Sequence, residues 1–196
     1  MAINIHTDSK ESLQQLLQTP LNLPPIQLKL QSSADGLLRV YDQLRQKFVA
    51  LTPEERVRQH FVDYLINTLG YPASLMANEV ALKFNGQTRR CDTVLYTRGD
   101  LRPLAIVEYK APEVEITQKV FDQIARYNLV MGARLLIVTN GLRHYCCLYS
   151  PTAQSSEVQP SNTQSTEAPA DTAALSAASP YRFLREIPSY SALLTL

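Results

Sequence analysis

The stretch RRCDTVLYTRGDLRPLAIVEYKA, residues 89–111, decides the fold. RRCDTVLYTR and LAIVEYKA are both rich in the β-branched, aromatic and aliphatic residues that suit strands. The RGDLR segment between them has the Gly and Asp of a turn, so the second strand returns antiparallel to the first. Side chains on a strand alternate faces, so Glu108 and Lys110 share one face with Leu104 and Ile106. Two opposite charges on the apolar face of a central strand call for a reason. Read alone they are an ion pair on a half-exposed strand, and a chain of this size contains about one Glu-x-Lys by chance.

The neighbouring strand changes that reading. If the turn is centred near Asp100, residues whose numbers sum to about 200 face each other, which places Asp92 opposite Glu108. Like charges so opposed destabilise a sheet unless a cation lies between them or they share a proton. A divalent metal with oxygen ligands is the natural occupant, since Mg²⁺ is held by one or two carboxylates together with phosphate and water. Lys110 beside such a metal is placed to position or activate a water, or to stabilise charge on a phosphate. A metal pair also predicts that Asp92→Asn raises stability in EDTA.

Outward from this hairpin the elements follow in order. TPEE marks the best-signposted helix start, with Thr52 as N-cap, Pro53 at the first helical position and Glu55 completing a capping box. Val57, Phe61, Leu65 and Leu69 give that helix one apolar face, and Gly70 ends it. EVALKFN precedes the central hairpin as a further strand. A second helix is expected from about Gln118 to Met131, between Thr117 and Gly132. ARLLIVT is an apolar strand of the buried parallel kind, and Asn140-Gly141 turns the chain into LRHYCCLYS. Upstream, IQLKLQ and LLRVYD read as strands around SSADG, and QLRQKFVAL as a short helix. The sum is an α/β layer with a mixed sheet, an antiparallel meander plus one βαβ crossover.

Residues 1–25 read as a weakly ordered leader and 26–150 as the domain itself. Residues 151–180 hold no aromatic, Lys or Arg and cannot bury enough apolar surface to offset their ordering entropy, so a disordered low-complexity loop is expected. Residues 181–196, beginning YRFLREIP, carry anchors to pack back on the core. The 196 residues have a net charge of +1, which gives no global basic field but leaves room for local basic residues around a cleft. Three cysteines without metal spacing or a disulfide framework suit reduced thiols in the cytoplasm. No signal peptide or membrane-length run is visible, so no membrane partner is expected.

Asp, an apolar strand and then Glu-x-Lys resemble the signature of the PD-(D/E)xK nucleases. TPEERVRQHFVDYLINTLGYP, RRCDTVLYT, LAIVEYKAP, QIARYN and LLIVTNGLRHYCC together resemble the N-terminal nuclease domain of bacterial type I restriction enzyme R (HsdR) subunits. The likeness is nearer still to small stand-alone proteins built from that domain. It implies a restriction-endonuclease-like core, with Asp92 and Glu108 as metal ligands, Lys110 as the catalytic lysine, and Gln123 and Tyr127 as the Gln-x-x-x-Tyr motif beside the site. Glu55, Gln59 and Glu79 are candidate outer-shell residues. Arg89, Arg90, Lys119 and Arg126 are candidates for holding phosphates.

The activity implied is a Mg²⁺- or Mn²⁺-dependent endo- or exodeoxyribonuclease acting in restriction-modification, repair or defence. The chain has no GxxxxGK[ST] loop and no room for helicase lobes, so DNA targeting or a motor falls to a separate protein. A homodimer that cuts both strands is one assembly the fold allows. The alternatives are a DNA-binding module that cuts little or nothing, and an interaction subunit of a repair or defence complex.

Overall fold

A computed structural model describes residues 17, 19–33, 37–84, 86–150 and 180–196. Most of the expected leader and nearly all of the expected loop at 151–180 lie outside the described residues. Among the described residues, the elements that build the sheet and its layers follow the chain in order. β1 (Leu30–Ser32), β2 (Leu38–Asp42) and β3 (Lys47–Ala50) form a small antiparallel sheet. α1 (Pro53–Asp63) continues into a π-helical turn over Tyr64–Thr68. β4 (Met76–Phe84), β5 (Gln87–Tyr96) and β6 (Pro103–Tyr109) make the meander, and α2 (Gln118–Met131) crosses over to β7 (Leu135–Thr139). β8 (His144–Tyr149), β9 (Tyr181–Leu184) and α3 (Tyr190–Thr195) complete it.

The main sheet runs β4-β5-β6-β7-β8-β9, and among these neighbours β6 and β7 alone are parallel. This is the mixed α/β sheet with one crossover that the sequence pattern implies. The central hairpin also has the register expected for a turn at Asp100, with Thr93 facing Val107, Val94 facing Ile106 and Leu95 facing Ala105.

Strand alternation divides the core into two layers. Ala105, Val107 and Tyr109 of β6, with Leu135 and Ile137 of β7, pack with Val57 and Phe61 of α1. Ile106, Leu136 and Val138 face the other way and pack with Val120 and Ile124 of α2. The adjacent Cys146 and Cys147 of β8 go one to each layer. A fully buried side chain such as Phe61 or Ile137 contributes roughly 1.5–3 kcal/mol. Leu104, expected on the face of Ile106, joins the α1 layer instead.

Two local readings are corrected. The QLRQKFVAL stretch is a turn followed by β3 rather than a helix, because Phe48 and Val49 pair across the small sheet with Tyr41 and Val40. Thr117 precedes α2 with extended backbone, but its side chain makes no capping hydrogen bond. Thr52 does cap α1, accepting from the Glu55 amide at 3.0 Å.

The described part of the leader is tied down: the Asn22 amide donates to the Gly141 carbonyl at 2.8 Å, and Leu21 and Leu23 pack on the α1 layer. At the other end Leu193 of α3 is fully buried in that layer, and the Tyr71 hydroxyl donates to the Pro188 carbonyl at 2.9 Å. No helix among the described residues is long and apolar enough to cross a membrane.

Candidate functional site

β5 and β6 part company at the Asp92–Glu108 end, and the site lies there. The ladder's last pair is Thr93–Val107. Beyond it the Asp92 carboxylate substitutes for a backbone rung, accepting the Tyr109 amide on Oδ2 at 2.9 Å. Glu108 stands on the facing strand and is 3% exposed. Lys110 Nζ donates to Glu108 Oε1 at 2.7 Å, and Gln123 of α2 donates to the same oxygen. Gln123 Nε2 also lies 3.3 Å from the Tyr127 hydroxyl oxygen, one helical turn on. Asp92, Glu108, Lys110, Gln123 and Tyr127 are thus gathered where β5 and β6 part, one from within β5, two from the end of β6 and two from one face of α2.

The electrostatics of the carboxylate pair follow from where it sits. Burial, and then the negative charge of Asp92, push the Glu108 carboxyl up to about 7. Burial also raises Asp92, against the lowering effect of Arg58 and of the Tyr109 amide. Burial pulls the Lys110 ammonium down, but its hydrogen bond and charge pairing with Glu108 outweigh this and leave it raised. Lys110 therefore stays protonated, held on Glu108.

Arg58 is the residue that sequence reasoning missed. It projects from α1, is 3% exposed, and reaches four carboxylates: Glu55 at 2.9 Å, Glu79 at 2.8 Å, Asp92 at 3.0 Å and, more distantly, Glu54 at 3.9 Å. Its guanidinium lies 5.4 Å from the centre of the Tyr109 ring, and its Nε is buried without a hydrogen-bond partner among the described residues. In sequence the signals are Glu54–Arg58 at i, i+4 and Glu55–Arg58 at i, i+3, which read as ordinary surface pairs. Glu54 was missed as well. Its carboxylate lies 3.9 Å from the Arg58 guanidinium, and burial and the charge of Asp92 raise its carboxyl.

The outer-shell candidates take places around Arg58 rather than around Glu108. Glu55 does not close a capping box through its side chain. Its carboxylate accepts from Arg45 at 2.6 Å, Arg58 at 2.9 Å and Gln59 at 2.8 Å. Gln59 is buried and reaches neither Asp92 nor Glu108 among the described residues. Glu79 lies where β4 and β5 lose their regular pairing, between Asn78–Thr93 and Val80–Cys91. It has a left-handed φ of 58°, which a non-glycine residue adopts only at a cost. That twist turns its carboxylate onto Arg58.

The basic candidates separate too. Arg90 approaches Glu79 at 3.7 Å. Lys119 is exposed on α2. Arg89 and Arg126 instead line a cleft of about 340 Å³ together with Phe84, Gln123 and Tyr127.

Among the described residues no three His, Cys, Asp or Glu side chains gather into a metal-binding cluster. The donor set nevertheless fits a hard cation held by few protein ligands. It offers oxygens only, and both hydrogen bonds to Glu108 fall on Oε1, leaving Oε2 unengaged among the described residues. Beyond its contact with Lys110, Glu108 therefore keeps one carboxylate oxygen open to a further cation among the described residues.

The family model for the type I restriction enzyme R protein N terminus (HSDR_N) matches residues 53–161, more than half of the chain. The chain belongs to this family. The matched span of the HSDR_N domain begins at α1 and carries every candidate site residue. A fragment structure ascribed to an HsdR subunit of a type I restriction enzyme from Vibrio vulnificus YJ016 is similar to it at 16% identity and a TM-score of 0.46. That similarity covers 74% of this chain and 25% of the other. No curated protein matches the chain at a significant level.

Proposed function

We propose that this HSDR_N domain is a divalent-metal-dependent DNA nuclease, hydrolysing phosphodiester bonds at the parted end of β5 and β6. The observation that carries the reading is the convergence of Asp92, Glu108, Lys110 and Gln123 on one point, with Glu108 and Lys110 in direct contact. Family membership supports a nuclease-type domain.

In this reading Asp92 and Glu108 hold Mg²⁺ or Mn²⁺. A metal held there would supply polarisation of a phosphoryl oxygen and a lowered pKa for water. The remaining work belongs to the chain's own groups. Lys110, protonated and held by Glu108, places a positive charge where negative charge grows on the phosphate. Gln123 fixes the rotamer of Glu108 from the α2 side, and Tyr127 fixes Gln123. Arg58 and the Tyr109 amide hold Asp92 from behind, so that it needs no reorganisation when substrate arrives. Tyr127 acts in positioning Gln123, since its contact is with Gln123 and not with the carboxylates. A separate targeting or motor protein would bring the DNA, and sequence preference would reside there.

A second reading, DNA binding with little or no cleavage, is favoured by one observation. Both oxygens of Asp92 are already engaged, by Arg58 and by the Tyr109 amide. A cleavage assay separates the two. Linear, circular, single-stranded and branched DNA are incubated with Mg²⁺, Mn²⁺ or EDTA, using wild type beside Lys110→Ala. Metal-dependent products from wild type that disappear in the variant support the nuclease. Bound but uncut DNA in every arm supports the binding module.

A further inference from the structure

The cleft between the β4–β5 hairpin and α2 adjoins the site described above through Gln123 and Tyr127, while its other lining residues have no part in that chemistry. Phe84 comes from the end of β4 and Arg89 from the start of β5, while Gln123, Arg126 and Tyr127 come from one side of α2. Its two arginines differ from those around Asp92. Arg45 and Arg58 are each locked to carboxylates. Arg89 and Arg126 have no carboxylate within 4.0 Å among the described residues, and each donates to one neutral oxygen. Arg89 donates to the Gln87 side chain at 2.6 Å and Arg126 to the Asp122 carbonyl at 3.1 Å. Their other N–H groups remain available at the cleft. Phe84 and Tyr127 are both half-buried, with inner edges against the α2 layer, so the rings are fixed and part of each still meets solvent.

Two unpaired guanidiniums and two fixed aromatic rings around a volume near the lower end of ligand pockets suit an anionic ligand with a flat aromatic part. A nucleotide is such a ligand. A base stacked inside a duplex cannot present its face to protein rings, whereas an unpaired base can.

We infer that this cleft is a subsite for one unpaired nucleotide of single-stranded DNA. Arg89 and Arg126 grip its phosphate, Phe84 or Tyr127 stacks its base, and the next phosphate along the strand lies at Glu108 and Lys110. The inference deepens the nuclease reading and rests on it for the choice of DNA as the polymer. It assigns the domain to single strands, frayed ends or extruded bases rather than continuous duplex.

The test measures binding in EDTA, so it does not depend on cleavage. Fluorescence anisotropy compares a labelled oligo-dT with a blunt hairpin duplex of equal phosphate number, for wild type, Arg89→Ala, Arg126→Ala and Phe84→Leu. The arginine variants alter exposed side chains, and the leucine keeps an apolar contact with the core. Unchanged melting temperatures show that all three remain folded. Wild type should prefer the single strand. Each variant should weaken oligo-dT binding by about tenfold, with a smaller change for the duplex, and Arg126→Ala should reduce the salt slope by about one. Equal affinity of wild type for the two DNAs, or variants that bind oligo-dT as wild type does, would overturn the assignment. The nuclease reading fails separately, through absence of metal-dependent products with single-strand binding intact.

Discussion

The α1 and α2 sides of the site are built on opposite electrostatic principles. On the α1 side, positive and negative groups alternate in a closed chain. Asp42 pairs with Arg45, Arg45 with Glu55, Glu55 with Arg58, and Arg58 with Glu79 and Asp92. On the α2 side, Lys110 and Gln123 share one oxygen of Glu108, and Arg89 and Arg126 face a cleft without carboxylates. A wall whose charges are satisfied internally has little free energy to gain from a ligand, so α1 serves as scaffold. A wall with unmet charges gains from metal and phosphate, so α2 and the ends of β5 and β6 carry the recognition.

The largest test of this contrast is Arg58→Met. It leaves buried Glu55 and the half-buried Glu79 and Asp92 without their shared cation, and should cost about 3–5 kcal/mol in urea denaturation. Arg126→Ala, on the open wall, should stay within about 0.5 kcal/mol of wild type. Similar losses in the two variants would erase the distinction. The scaffold wall is also tight sterically. Gly141 has φ of 81°, and a Cβ there would come within 2.9 Å of Leu21 and 3.1 Å of Val57 of α1. Gly141→Ala should therefore cost at least about 1–2 kcal/mol from the left-handed backbone alone, visible as a lower melting temperature.

The open wall should betray itself through pH. Glu108 titrates near 7 in the folded protein, above the ordinary carboxylate value of 4.5. Between those values the folded state binds more protons than the unfolded chain, so stability falls as pH rises through that window. Denaturation in EDTA across this range should show the decline, and Glu108→Gln should flatten it. Added Mg²⁺ should restore stability at pH 8 to wild type and not to the variant. The smallest contrast lies at the helix starts. Thr52→Ala should cost about 1 kcal/mol through the lost cap, and Thr117→Ala should be close to neutral because its side chain makes no cap bond.

Much of this fold is legible in the chain because local signals agree. The Gly99–Asp100 turn and alternation in VLY and LAIVE set one register, and that register holds. Thr52-Pro53 starts α1, and Gly132 ends α2 with its left-handed φ. β3 was misread because Lys47–Ala50 is too short for its period to outweigh the helix-favouring Gln43, Leu44, Arg45 and Gln46 before it. In the site, Asp92, Glu108 and Lys110 could be found because strand alternation and register bring them together, and Gln123 only through the resemblance of its Gln-x-x-x-Tyr motif. Arg58 could not. Its partners lie on three separate elements, and Glu79 reaches it only through a backbone conformation that no residue preference announces. This also reverses the expectation for Asp92→Asn: loss of a hydrogen-bonded, charge-paired carboxylate next to buried Arg58 should lower stability in EDTA, not raise it.

The neighbouring thiols of β8 offer a way to watch the two halves of the molecule move. Burial pushes Cys146 up to about 11 and Cys147 up to about 12, so both are almost inert to alkylating reagents while the sheet is closed. Because one thiol reports the interior beneath α1 and its neighbour the interior beneath α2, timed alkylation read out by mass spectrometry at each position gives two opening rates from a single strand. If the ion-paired side is the stiffer, Cys147 should react before Cys146.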